Sequence, residues 1–276
     1  MAAEAVGAAE DKHQVKSGGI AVMDNSPERE VILILADISG YTRFMLSNRT
    51  SIVHAQIIIT ELTKAIIAQV EIPLEISKLE GDAVFLYALK TNSAQWENTS
   101  REIGRKLLAF LAAFSDKLAE LSQSNTCPCD ACMNIETLHL KIIVHRGQAL
   151  LYQLGKFEEL SGVDVIIVHR LLKNSVTAPE YILLTEAAYQ EVQFPVDIPV
   201  TPGEETYADL GNIKTYVYFP TTAPEPERPT QARRYNSNLY RFKNMAIKGF
   251  RLMLVNLGMA KFQKFNHVPD EVGKDF

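Results

Sequence analysis

Val31-Ile32-Leu33-Ile34-Leu35-Ala36-Asp37-Ile38-Ser39-Gly40-Tyr41-Thr42 is the stretch that decides the fold. Its first half is an uninterrupted aliphatic run, which is typical of a buried strand. The run breaks at Asp37, and the polar and glycine residues after it mark a turn into a helix. An aspartate there has two readings. It caps the following helix, or it stands at the rim of a sheet with its carboxylate free to hold a cation.

Downstream, Ile52, Ile57, Ile59, Leu62, Ile66 and Ile67 recur near helical spacing, so a helix is expected over residues 50–70, with Pro73 at its exit. Residues 75–90 read as a hairpin that turns at Leu79-Glu80-Gly81-Asp82 and returns through Val84-Phe85-Leu86-Tyr87. Ile103, Leu107, Leu108, Leu111 and Leu118 predict an amphipathic helix over 99–121. Residues 138–144 and 149–154 read as paired strands around Arg146-Gly147-Gln148. A helix over 163–173, a strand over 181–184, a short helix over 186–191 and strands over 207–210 and 213–219 complete the order. Such a mixture predicts an α+β sandwich with a mixed, antiparallel-rich sheet.

The flanks differ from this central region of 29–220. Residues 1–28 lack periodicity and read as a disordered tail. Residues 221–230 are proline-rich and read as a linker. Beyond them, residues 231–276 interleave Arg234, Arg241, Lys243, Lys248 and Arg251 with Phe242, Ile247, Phe250 and Leu254. A helix of this kind suits an anionic membrane surface over 231–266, or equally the acidic core domain of its own chain. The net charge of −5 counts against a nucleic-acid partner. No apolar run is long enough to span a bilayer and no signal peptide is visible, so the expected location is cytoplasmic, with peripheral membrane contact through the basic segment.

The three cysteines, Cys127, Cys129 and Cys132, crowd into one short segment. In a reducing compartment, such a cluster reads as free thiols or as soft ligands for Zn²⁺. A structural zinc site takes four ligands, so His139 or a partner's cysteine would have to complete it.

Asp37 ends a buried strand and Asp82 sits at a hairpin turn. Taken singly, one is a common helix cap and the other a common turn residue. Brought to adjacent rims of one sheet, they form a two-ion carboxylate site for Mg²⁺ or Mn²⁺. Two such ions can bind a triphosphate and offset charge in an in-line displacement. Gly40, Tyr41 and Thr42 would then turn backbone N–H groups at a helix start toward the phosphates.

The flanking residues carry a family resemblance. Ala36-Asp37-Ile38-Ser39-Gly40-Tyr41-Thr42 and Lys78-Leu79-Glu80-Gly81-Asp82 resemble the two metal motifs of class III adenylate and guanylate cyclases. Arg146-Gly147 with Gly155 resembles their glycine-punctuated hairpin, and Gly162-Val163-Asp164 through Leu171 resembles the start of their catalytic helix. The cysteine segment, Gly155 to Gly162 and Val168 to Asn174 are similar to an uncharacterised offshoot of the superfamily, known as a domain of unknown function. The resemblance implies the ferredoxin-like class III cyclase fold, a homodimer with its site shared across the interface, and Asp37 and Asp82 as metal ligands. It implies Lys78 as the base-reading lysine, Glu159 (or Glu158) as acceptor from the base, and Arg170 as the arginine on the triphosphate. A lysine donor with a carboxylate acceptor suits adenine, so ATP is the expected nucleoside triphosphate.

One position departs from the pattern. The family carries a ribose-positioning asparagine one helical turn before the arginine, and this chain has Ile166 there. An alkyl group donates no hydrogen bond, and losing one positioning group typically slows such chemistry by about 10²-fold. Asp164 or His169 compensates, or the domain cyclises slowly, or it is a pseudo-cyclase that binds nucleotide as a regulatory module.

Overall fold

A computed structural model describes residues 28–90, 93–124, 129–155 and 157–220, together with scattered positions between 246 and 259. The tail, the linker and most of the basic segment expected from sequence lie outside the described residues.

The strand that opens the domain, β1 (Arg29–Ser39), is its centre. It pairs antiparallel with β3 (Ala83–Leu89) on one side and with β4 (His139–Leu154) on the other. The sheet continues outward through β2 (Glu75–Glu80) at one edge. On the other side it runs through β6 (Tyr181–Thr185) and β8 (Gly211–Tyr218) to β7 (Val200–Tyr207). The β4–β6 pairing is parallel and the other pairs are antiparallel. A further strand, β5 (Phe157–Ser161), pairs with the end of β4.

Both faces of β1 are covered, which is why its sequence is apolar without alternation. Ile32, Ile34, Ala36 and Ile38 join one core with Ile58, Leu62, Ile103, Leu107, Phe110 and Phe114. Those partners come from α2 (Ile52–Ile67) and α3 (Ser93–Ser124), which lie together on that face. Val31, Leu33 and Leu35 join the opposite core with Phe85, Leu160, Val168 and Leu171, beneath α5 (Val163–Arg170). The alternation continues past Leu35, so Asp37 belongs to the α5 side of the sheet.

The structure departs from the sequence reading in several places; β5 was not expected, and the strand expected over 207–210 is, after Tyr207, the turn between β7 and β8. A separate seven-residue helix, α1 (Tyr41–Ser47), precedes α2. Helix α3 starts earlier than expected because its first turns are tied down. The indole of Trp96 donates to the Glu191 carboxylate, and the Ser100 hydroxyl donates to the Glu191 carbonyl, both on α6 (Glu186–Glu191).

In place of two strands hinged at Gly147 there is one 16-residue strand, β4, and the hairpin turn falls at Gly155 instead. Gly147 is required for another reason: a Cβ there would lie 2.1 Å from Cγ of Asp164. Finally, β7 covers residues 200–206, to which the sequence assigned no element. It is an exposed edge strand, where a proline such as Pro202 removes no ladder bond that the sheet needs.

A half-buried acid beside β6 gives a stability test. Burial alone holds the half-buried Glu180 carboxyl at about 7, against an ordinary value of 4.5. A folded value above the unfolded one makes the charged form a penalty. That penalty is nearly absent at pH 4.5, grows as pH rises through this window and is complete above pH 7. Glu180→Gln is therefore expected to stabilise the fold by roughly 1–3 kcal/mol at pH 8 and almost not at all at pH 4.5. Urea unfolding at the two pH values checks this.

Candidate functional site

Strand register brings the two aspartates together. Asp37 stands opposite Ala83 across the β1–β3 ladder, and Asp82 immediately precedes Ala83 at the tight turn where Gly81 takes a φ of +67°. On its other side Asp37 stands opposite Lys141 of β4, and the Lys141 Nζ lies 3.0 Å from Asp37 Oδ2. Lys141 also donates to the Leu172 carbonyl at 3.3 Å. Burial, and then the charge on Asp37, push the Asp82 carboxyl up to about 6, with Lys141 pulling weakly the other way. The pair is thus a partly buried, electron-rich site with one of its two carboxylates paired to a lysine.

This arrangement fits a divalent cation. The charge on Asp37 that disfavours an ionised Asp82 is offset by any cation placed between them, and hard oxygen donors suit Mg²⁺ or Mn²⁺. Lys141 is the protein's own cation at that place, and an incoming metal would compete with it for Asp37. The next residues form the entry to α1. Gly40 has a φ of +89°, and its carbonyl accepts from the Phe44 amide at 2.8 Å. The amides of Tyr41 and Thr42 belong to the first turn, whose N–H groups have no intrahelical acceptor.

A second group forms on the same side of the sheet, near the edge. Lys78 Nζ lies 3.2 Å from Glu80 and 3.6 Å from Glu159, and 5.9 Å from the centre of the Phe85 ring. Burial works against the Lys78 charge, but Glu80 and Glu159 outweigh it and hold the ammonium above its ordinary value. His169 Nε2 reaches Glu80 at 3.0 Å, and its ring packs edge-on against Phe85. Of the two adjacent glutamates, Glu159 faces Lys78, whereas Glu158 accepts from the Tyr87 hydroxyl at 3.4 Å.

Arg170 does not join either group. Its guanidinium bonds Asp209 at 2.7 Å in an exposed pair. Val165, Ile166, His169, Arg170 and Lys173 line a shallow depression of about 310 Å³ along α5. Ile166 is 53 % exposed there and fills no part of the core.

The two residues expected to stand in for the missing asparagine are both engaged elsewhere. Asp164 accepts from His145 Nε2 at 2.9 Å and from the Gln148 amide at 2.7 Å. The bond from His145 outweighs burial and holds the Asp164 carboxyl below the usual range. His145 in turn contacts the Thr185 hydroxyl at 2.9 Å, so the chain Asp164–His145–Thr185 pins α5 to the sheet. His169 is held by Glu80 and by the Val165 carbonyl.

Of the cysteines, Cys129 and Cys132 are described and Cys127 lies outside the described residues. Their histidine neighbour is His54 of α2, not His139, which stands at the start of β4. Sequence reading missed Lys141, Glu80, Asp209 and His54. Lys141 carried a signal, since it is the single cation in the apolar run Leu140 to Val144. His54 carried none, being far from the cysteines along the chain.

Comparison with known proteins places the fold. A family described as a protein of unknown function (DUF2652) matches residues 59–181. That span holds Lys78, Asp82, Glu159 and Arg170 but begins after Asp37. The uncharacterized protein Rv2561/Rv2562 of Mycobacterium tuberculosis is 29 % identical over 157 residues, 56 % of this chain and 71 % of that one.

Among solved structures, the adenylyl cyclase CyaB from P. aeruginosa matches with a TM-score of 0.52 at 14 % identity, covering 72 % of this chain and 97 % of that one. The guanylyl cyclase Cya2 matches equally, with a TM-score of 0.52 at 14 % identity over 72 % and 95 % of the two chains. A bacterial light-regulated adenylyl cyclase is 15 % identical, with a TM-score of 0.49, over 76 % of this chain. The chain spans 56 % of that protein's length. The chain has the α+β fold of class III nucleotidyl cyclase domains. An adenylyl and a guanylyl cyclase match it equally well, so the fold does not choose the base.

Proposed function

We propose that this domain binds a nucleoside triphosphate together with Mg²⁺ or Mn²⁺ at Asp37 and Asp82, and that it forms a cyclic nucleotide from ATP slowly. The observation that carries the reading is the meeting of Asp37 and Asp82 at one sheet rim, on the α5 side. Bound metal would supply the positive charge that a triphosphate needs there and would favour loss of a proton from the attacking hydroxyl. The chain's own part is to hold the two carboxylates rigidly and to keep them partly desolvated, which strengthens their grip on a cation. Gly40, Tyr41 and Thr42 offer first-turn amides to the phosphates. Arg170 would serve the triphosphate from α5 after exchanging Asp209 for phosphate oxygens, a planar bidentate contact that an exposed ion pair gives up at little cost.

Lys78 and Glu159 are the proposed base readers. The ammonium donates to ring nitrogen N1 and the carboxylate accepts from the exocyclic amine beside it, a pattern that adenine meets and guanine, whose N1 is itself a donor, does not. Lys78→Glu is expected to lower the ATP-to-GTP preference by about tenfold or more, since a mismatched buried donor or acceptor is left unpaired. Competition binding of the two triphosphates in Mn²⁺ measures this.

A homodimer is part of the proposal. Val163 and Ile166 on α5, with Ile76 and Leu79 on β2, expose apolar side chains on the elements that carry Arg170 and Lys78. A second reading, a catalytically silent nucleotide-binding module, is favoured by Ile166 and by the engagement of Asp164 and His169 elsewhere. The decisive experiment incubates the purified chain with ATP or GTP and Mn²⁺ and assays cyclic product. Slow product formation from ATP supports the first reading. Binding with no product from either triphosphate supports the second and sinks cyclisation.

A further inference from the structure

The side chains of His54, Cys129 and Cys132 converge although α2 and the cysteine segment are far apart in the chain. Their ligand atoms all lie within 4.8 Å of one another. His54 Nδ1 is 3.3 Å from the sulfur of Cys129 and 3.8 Å from that of Cys132. Tetrahedral zinc, with Zn–S near 2.3 Å and Zn–N near 2.0–2.1 Å, sets its nitrogen and sulfur ligands about 3.6 Å apart. The two observed distances bracket that value. We infer that His54, Cys129 and Cys132 form a structural Zn²⁺ site, separate from the aspartate site and serving to fasten the cysteine segment to α2.

The surroundings suit that role. His54 lies in the first turn of α2, beside the fully buried Ala55. Cys132 is buried and Cys129 half-buried, on and just before the single-turn helix α4 (Asp130–Met133). Ala131 and Cys132 belong to the main core, and Cys129 packs against it. The site therefore sits at the core margin, with two thiols and an imidazole as donors. Soft thiolates with imidazole select zinc over the hard cations that carboxylates hold. Three described ligands leave one coordination position to a water or a further thiolate.

The placement also gives the metal a structural consequence. Helix α4 touches both α1 and α2, and the short 3₁₀ turn after it, Ile135–Thr137, packs on Gly40. A Cβ at Gly40 would lie only 2.9 Å from the Thr137 carbonyl oxygen. Zinc at His54, Cys129 and Cys132 thus closes a clamp over the turn that follows Asp37. A four-residue helix has too few hydrogen bonds to be stable alone, so the metal would supply much of the order in this segment.

The test uses the full chain purified in reductant, with metal content measured by mass spectrometry and melting followed with and without a strong chelator. The expected result is about one zinc per chain, lost at least tenfold in His54→Ala and in Cys132→Ser. The chelator should lower the melting temperature of the wild type and leave that of the variants unchanged. Cobalt substitution gives a readout independent of stability. Thiolate-to-cobalt charge transfer and tetrahedral visible bands should appear in the wild type and weaken in Cys132→Ser. The inference is overturned if the reduced wild type takes up no zinc or cobalt, or if His54→Ala binds zinc as tightly as the wild type. A Cys129–Cys132 disulfide that persists in reductant and excludes metal overturns it as well.

Discussion

Replacing Ile166 with asparagine should raise cyclic product formation by about a hundredfold, the factor a single well-placed positioning group typically supplies. The argument is geometric. Ile166 is 53 % exposed and lies one helical turn before Arg170, in the same depression along α5. The buried face of α5 is made by Val168, with Leu171 just beyond its end, so the substitution removes nothing from the core. The intrinsic helix cost of asparagine is a few tenths of a kcal/mol. An amide at this position can donate to a ribose oxygen, which isoleucine cannot. The gain should appear in kcat with KM nearly unchanged, because orientation matters most in the transition state. An unchanged rate, with nucleotide still bound, would mean that the missing donor is not what limits the domain.

Asp82→Ala and Asp37→Ala should each reduce metal-dependent triphosphate binding about a hundredfold and remove any turnover. The two variants should differ in stability. Asp37 is paired with Lys141 at 3.0 Å, so its loss leaves a partly buried lysine without that carboxylate. Asp82 is held up at about 6 mainly by burial and by the charge on Asp37, so its loss relieves repulsion. Asp82→Ala should therefore melt at or above the wild-type temperature and Asp37→Ala below it. Equal destabilisation would show that the two carboxylates do not oppose each other.

Much of this site could be read from sequence because strands alternate strictly. The run from Val31 to Leu35 marked β1 as a buried strand, and the period of a strand assigns Asp37 to one face. Gly81-Asp82 at a hairpin turn then placed the second carboxylate at the same rim, since turn residues define where a ladder ends.

What escaped was tertiary. Gly147 resembles a turn glycine, yet it lies inside β4, where Asp164 of α5 leaves no room for a Cβ. Val200 to Tyr207 contains Pro202 and Gly203, which speak against a strand, and only its position at the sheet edge permits them. Cross-strand pairing of Asp37 with Lys141 depends on register, and register between distant strands is not written in either one alone. His54 meets the cysteines only because α2 and the segment after α3 share one side of the sheet.

On the proposed function, Asp37 and Asp82 hold a metal–nucleotide complex. Titration calorimetry of the full chain with ATP, in Mn²⁺ and then in excess chelator, tests it most directly. Saturable binding in Mn²⁺ is expected, abolished by chelator and weakened about a hundredfold in Asp37→Ala and in Asp82→Ala. ATP binding of equal strength in the wild type and both variants, or no Mn²⁺-dependent binding by the wild type, would contradict it.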